Sequence, residues 1–143
     1  MGTVTLTAAV YEAMRAHGEE SYPQECCGVL LGAQGPDGWQ VLALLRAGNA
    51  EGSRNRYRIA PEELVEMARE AGARGLAMAG FYHSHPDHPA WWSESDLAEA
   101  QWPGCAYVVT AVDEGKAQAT HAFLLEETAG EGKRFRPQRV VVL

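Results

Sequence analysis

Residues 80–96 read GFYHSHPDHPAWWSESD and bring three of the chain's five histidines, His83, His85 and His88, into six positions. An apolar run precedes them, and two serines and two acids close the stretch. The segment is either a crowded polar turn or one side of a metal site. LAMAGFYHSH, residues 76–85, has the length and apolar content of a strand that runs into it. SESDLAEAQW, residues 93–102, predicts a short helix stopped by Pro103 and Gly104. His83 and His85 then sit two apart on a strand, on one side of it, with Cα atoms about 6–7 Å apart. Two imidazoles at that spacing can converge on one ion at metal–nitrogen distances of about 2.0–2.1 Å. Asp96 falls on the first turn of the helix, where a carboxylate is favoured and can project back towards the strand end. Two histidines and an aspartate on Zn²⁺ leave a coordination position open for water, as a catalytic zinc requires.

A simpler reading competes with this one. Ser93 and Asp96 by themselves form a Ser-x-x-Asp capping pattern, and a His-x-His pair alone is weak evidence for a metal. The combination is more specific than either part, and the two roles are compatible, because Ser93 can cap the helix and face the site. Glu25, in YPQECCGVLLG, is the candidate proton shuttle, since an acid entering an apolar run is out of place as a core residue. An exposed charge at the start of a strand is the alternative for it.

Outward from this segment, the chain alternates strands and helices. LTAAVYEAMRAHGEE (6–20) predicts a first helix with Thr7 as N-cap and Ala9, Val10, Ala13 and Met14 on one face. Pro23 discourages helix at Tyr22. CCGVLLG (26–32) predicts a buried strand, and GPDG (35–38) a hairpin turn into WQVLALLR (39–46). APEELVEMAREAGARG (60–75) predicts the clearest helix, with Pro61 in its first turn and Leu64, Met67, Ala68 and Ala71 facing the core. CAYVVTAV (105–112), AQATHAFLL (117–125) and RFRPQRVVVL (134–143) predict three more strands. The expected architecture is mixed α/β or α+β, one domain over residues 1–143 with one central sheet.

Length and composition agree with this. A chain of 143 residues with 46% hydrophobic and 22% charged content can bury a real core. A net charge of −7 argues against a nucleic-acid backbone as the main partner. The apolar runs are too short to cross a bilayer, and the first residues lack the basic flank and apolar stretch of a signal peptide, so a cytoplasmic protein is expected. Cys26, Cys27 and Cys105 form no C-x-x-C pattern and read as buried free thiols. Arg46, Arg54, Arg56 and Arg58 make one basic segment, either a solvated loop or a docking face for an acidic group.

Taken together, Glu25 before a GVLLG strand, His83-Ser84-His85-Pro86 and Ser93-x-x-Asp96 resemble the JAMM (MPN+) metalloprotease family, in its compact prokaryotic form. YRIAPEEL, residues 57–64, is similar to the segment before that family's second helix. The resemblance implies a three-layer, cytidine-deaminase-like fold, a central mixed sheet flanked by helices. It implies one Zn²⁺ held by His83, His85 and Asp96. Glu25 would hold the zinc-bound water, take its proton and pass it to the leaving amine, while Ser93 would donate to the developing oxyanion. The implied substrate is the amide bond after the Gly-Gly tail of a small ubiquitin-like sulfur-carrier protein, with the tail adding beside a sheet edge. Trp92 departs from the family pattern, where a smaller residue or proline is expected. Trp91 and Trp92 are either local packing or a wall of the substrate groove, and His88 is left outside the metal shell. A metal-free MPN scaffold and a zinc amidase acting on a small molecule stay open, as does a homodimer. A zinc nucleoside deaminase is disfavoured, because its His-x-Glu and Pro-Cys-x-x-Cys are missing.

Overall fold

The computed structural model describes residues 2–143. In chain order it contains β1 (Thr3–Leu6), α1 (Ala8–Ser21), β2 (Cys27–Gln34), β3 (Trp39–Ala47), α2 (Pro61–Ala73), β4 (Ala77–Pro86), α3 (Glu94–Glu99), β5 (Ala106–Asp113), β6 (Lys116–Thr128) and β7 (Gly132–Val142). The expected mixed α/β architecture is present. The strands follow the order β1-β3-β2-β4-β5-β6-β7 and return to β1. β1 runs parallel to both β3 and β7, and β4 parallel to β5; the remaining pairs are antiparallel.

The expected single sheet is present, and it closes on itself through β1. β1 is short and went unpredicted, although Thr-Val-Thr-Leu alternates with period two and buries Val4 and Leu6. By bonding on both sides it joins what would otherwise be the two edges. β1 is shorter than its neighbours: it pairs with Gln40 and Val41 of β3 and with residues 139–142 of β7, so among the described residues the rest of both strands has no strand beside it on that side.

Two buried clusters lie on opposite faces of the strands. Val10 and Met14 of α1 pack with Val4, Leu30, Val41, Tyr82 and Val108. Met67 and Ala71 of α2, with Leu97 of α3 at the margin, pack with Val29, Leu31, Phe81, Val109 and Phe135. The alternation of Val29, Leu30 and Leu31 between clusters is the pleat of a strand buried on both faces.

The helices differ in detail from their predicted faces. Thr7 caps α1 as expected, its Oγ1 accepting from the Val10 N–H at 3.1 Å. The buried stripe is Val10, Met14, His17 and Gly18, while Ala9 is exposed, because the helix is rotated to bring Gly18 against the sheet. A Cβ on Gly18 would meet Val112 Cγ2 at 2.9 Å. α1 ends at Ser21, before the residue that Pro23 constrains. In α2 only Met67 and Ala71 are fully buried and Ala68 is exposed, since this helix leans on β4 alone among the strands it contacts closely. α3 ends at Glu99, ahead of Pro103, where Lys133 Nζ donates to the Ala98 and Ala100 carbonyls at 2.9 and 2.7 Å.

β4 carries the decisive irregularity. Its register with β2 shifts so that Leu30 faces Gly80 and Leu31 faces Met78, leaving Ala79 as a bulge. Ala79 and Tyr82 therefore share the α1 face, while Phe81 lies with the α2 cluster. A bulge reverses which face each later residue takes. Here it turns the Phe81, His83, His85 set towards α2 and α3. No helix among the described residues is long and apolar enough to cross a membrane.

Candidate active site

His83 and His85 stand at the end of β4, both buried. Asp96 is buried on the first turn of α3, and its Oδ2 lies 3.3 Å from His83 Nε2 and 3.1 Å from His85 Nε2. The two Nε2 atoms are 3.1 Å apart. Four ligands at about 2.0–2.1 Å from a tetrahedral zinc are separated by about 3.3–3.4 Å. The observed triangle has the edge lengths of one face of that tetrahedron, and among the described residues this is the group of ligand atoms close enough to hold a cation. The residues fit the metal.

Each ligand is held from behind. His85 Nδ1 donates to the Pro89 carbonyl at 2.9 Å, so in the neutral ring the lone pair is on Nε2, while the protonated ring donates from Nε2 to Asp96. The His83 ring stacks on Tyr57, centroids 4.4 Å apart. Asp96 and Ser93 form a reciprocal capping box. The Ser93 N–H donates to Asp96 Oδ2 at 2.8 Å, and the Asp96 N–H donates to Ser93 Oγ at 3.1 Å. The same cap that starts α3 thus orients a ligand, so the capping and site readings of Ser93 and Asp96 coexist.

The electrostatics follow from burial and from the carboxylate. Burial would raise the Asp96 pKa, but hydrogen bonds from both imidazoles outweigh it and hold the group well below the ordinary carboxylate range. Burial drives the His83 pKa down. It acts the same way on His85, but there the bonds to Asp96 and Pro89 prevail and the pKa rises.

Glu25 is 3% exposed, so it is no surface charge. Burial pushes its carboxyl up to about 8, with His85 pulling the other way and Asp96 and Glu99 adding to the rise. Its Oε1 is buried without a hydrogen-bond partner. Glu25 lines a cavity of about 560 Å³ together with His85, Trp91, Trp92, Ser93 and Arg56. Glu25 is thus brought beside a triad that lies at least 58 residues away in sequence. His88 also borders the cavity but is exposed and outside the triad. Trp91 is half exposed and packs edge-on against Phe123, while Trp92 turns inward towards Phe135.

The wall opposite the tryptophans comes from the loop between β3 and α2. Its arginines are ion-paired on the surface, Arg54 with Asp87 at 3.0 Å and Arg56 with Glu99 at 2.5 Å. Exposed pairs of this kind add little stability, and of these four residues Arg56 borders the cavity. Sequence reasoning treated this segment as a charge cluster and missed Tyr57 and Asn49, whose contacts are with His83 and Glu25. An asparagine in a glycine-flanked loop signals a turn and nothing more. On the far side of β4, Ser84 Oγ accepts from the Cys26 N–H at 2.8 Å. Burial raises the thiols of Cys26 and Cys27 to about 11 and about 12, so these two free cysteines are chemically quiet.

Residues 7–125 match the family of prokaryotic homologs of the JAB domain, and the chain belongs to that compact prokaryotic JAB/MPN family. Among curated proteins it is similar to the desampylase of Haloferax volcanii, 33% identical over 115 residues, which covers 77% of this chain and 81% of the relative. It is 32% identical over 113 residues to the CysO-cysteine peptidase of Mycobacterium tuberculosis, covering 77% of this chain and 76% of that one. A probable TtuB-protein conjugate cleaving protease of Thermus thermophilus is 31% identical over 117 residues, with 81% and 72% covered. Two solution structures share the fold. A Desulfitobacterium hafniense protein superposes with a TM-score of 0.83 at 26% identity, over 98% of this chain and 92% of that chain. A Salinibacter ruber protein does so with a TM-score of 0.73 at 36% identity, over 100% and 92%. Two of these relatives are named as a peptidase and as a probable conjugate-cleaving protease.

Proposed function

We propose that this protein is a zinc-dependent peptidase that hydrolyses the amide bond after the C-terminal Gly-Gly of a small ubiquitin-like protein of the sulfur-carrier type. The observation that carries the reading is the His83–His85–Asp96 triangle, of tetrahedral-zinc dimensions, beside a buried carboxyl in one cavity. The names of the relatives support the substrate class, since they refer to CysO-cysteine and to TtuB conjugates. The three-layer, deaminase-like description of the fold belongs to the same reading, supported by α1 on one face of the strands and α2 and α3 on the other.

His83, His85 and Asp96 would hold the zinc, which supplies a Lewis acid for the scissile carbonyl and makes water acidic enough to attack near neutral pH. Glu25 accepts the proton of the attacking water and delivers it to the leaving amine. Burial raises its affinity for a proton, the direction that favours taking one from water. The Ser93 hydroxyl accepts from the Asp96 N–H at 3.1 Å and lies 3.2 Å from the Ser95 hydroxyl; with Ser95 as donor in that pair, the Ser93 O–H donates to the oxygen on which negative charge develops. Trp91 and Trp92 form one wall of the cavity, and residues 55–56 the other. The tail lies in this groove between the walls, where the small Gly-Gly residues fit. A cytoplasmic setting follows from a carrier-protein substrate.

The test pairs metal content with cleavage of a carrier fusion, Gly-Gly joined to a short extension, for the wild type and Glu25→Ala. One zinc in both, with cleavage lost only in the variant, supports the reading. Zinc without cleavage of any Gly-Gly tail removes the substrate and favours a small-molecule amide. No zinc after reconstitution favours a metal-free interaction module.

A further inference from the structure

We infer that Asn49 is a positioning residue that holds Glu25 in place by its main chain, an inference that rests on the proposed role of Glu25 as the proton shuttle. Glu25 lies two residues before β2 begins, so its peptide groups have no strand partner. Both are bonded instead to the β3–α2 loop. The Glu25 N–H donates to the Ser53 carbonyl at 2.8 Å, and its carbonyl accepts from Asn49 Nδ2 at 3.1 Å. Its buried Oε1 has no hydrogen bond to fix it. The position of the carboxyl therefore depends on how firmly the main chain is held.

Asn49 is built for that purpose. Its carboxamide makes four hydrogen bonds. Nδ2 donates to Glu25 O at 3.1 Å and to Arg56 O at 3.0 Å, while Oδ1 accepts from the N–H groups of Glu51 at 3.0 Å and Arg58 at 3.1 Å. That uses the full capacity of the group, two donors and two lone pairs. The Ala50 N–H donates to Arg58 O at 2.8 Å and completes the link across the loop. One side chain thus ties together the start of the loop, its return through Arg56 and Arg58, and the residue that carries the shuttle. The loop also carries the exposed Arg54–Asp87 and Arg56–Glu99 pairs, but the bonds from Asn49 and Ser53 are what join it to Glu25. A misplacement of about 1 Å at a reacting group can cost about 10²-fold in rate.

Aspartate and alanine separate holding Glu25 from ordering the loop. Asn49→Asp keeps the oxygen that accepts from Glu51 and Arg58 but loses both donors; Asn49→Ala loses everything. Both variants are expected to lower kcat by about 10²-fold. KM should stay within about two-fold, with one zinc per chain retained. Amide hydrogen exchange gives a readout independent of activity. Exchange of the Glu25 and Arg58 amides should rise at least about ten-fold in Asn49→Ala, with Val29 and Leu31 of β2 unchanged, which also certifies the fold. Wild-type kcat in Asn49→Asp, or unaltered exchange at Glu25 in Asn49→Ala, overturns the inference. Wild-type kcat in Glu25→Gln instead overturns the shuttle reading on which it rests. If the wild type cleaves no carrier fusion, the proposed substrate falls, and the exchange result still decides whether Asn49 holds Glu25.

Discussion

Nε2 of His83 and Nε2 of His85 face each other at 3.1 Å across the end of β4, each also within 3.3 Å of the same Asp96 oxygen. Two imidazole nitrogens and a carboxylate oxygen at these separations could hold one cation. We expect one zinc per chain by elemental analysis, and its loss in His85→Ala and Asp96→Asn. Chelation should abolish cleavage and added Zn²⁺ restore it. Full zinc content in Asp96→Asn would remove Asp96 from the ligand set.

Glu25→Gln retains the size and burial of the side chain and removes its ability to take a proton. It should keep the zinc and lose about 10²–10⁴-fold in kcat, the usual contribution of a general acid–base. Single-turnover assays of the carrier fusion read this directly. A variant that loses zinc as well would place Glu25 among the ligands.

Ser93→Ala should have two separable effects. Loss of the N-cap of α3 costs about 1 kcal/mol of stability, read from denaturant unfolding. Loss of the hydroxyl donor lowers kcat by about 10²-fold with KM little changed. A stability loss alone would reduce Ser93 to a cap.

The two tryptophans should part company. Trp92, packed against Phe135 with ring centroids 5.7 Å apart, belongs to the margin of the core, so Trp92→Ala should cost about 2–3 kcal/mol by thermal or chemical unfolding. Trp91 is 47% exposed at the cavity wall, and Trp91→Ala should raise KM for the carrier fusion with little change in stability. The reverse pattern would assign Trp91 to packing.

His17 provides a pH signature of the fold, away from the zinc ligands. It is buried with Nδ1 2.8 Å from the Tyr82 hydroxyl, and burial, assisted by the nearby Arg46 charge, lowers its pKa from 6.5 to about 4. The unfolded chain therefore binds the proton more readily between these values. The contribution of neutral His17 is fully present above pH 6.5 and is lost progressively as pH falls towards about 4. At about 1.4 kcal/mol per pKa unit the loss is at most about 3.5 kcal/mol. Unfolding of the wild type and His17→Gln across this range measures it, and parallel pH curves for the two proteins would refute it.

Local patterns in the sequence determined the helices around residues 8–21 and 61–73, six of the strands, and the spacing that sets two histidines on one strand ahead of a capped aspartate. These are decided by period, capping and turn chemistry within a few residues. The motif of Glu25, His83, His85, Ser93 and Asp96 was legible for the same reason, because residue type and spacing carry it. Tertiary structure alone decided the rest. The closing of the sheet by β1 depends on its hydrogen bonds to β3 and β7, whose partner residues lie dozens to more than a hundred positions away. The bulge at Ala79 decides which face His83 and His85 take, and it exists only in the register with β2. Asn49 and Tyr57 acquire their roles from contacts with Glu25 and His83, across 24 and 26 positions. No local period encodes such contacts, since they arise from how the loop packs once the strands have fixed its ends.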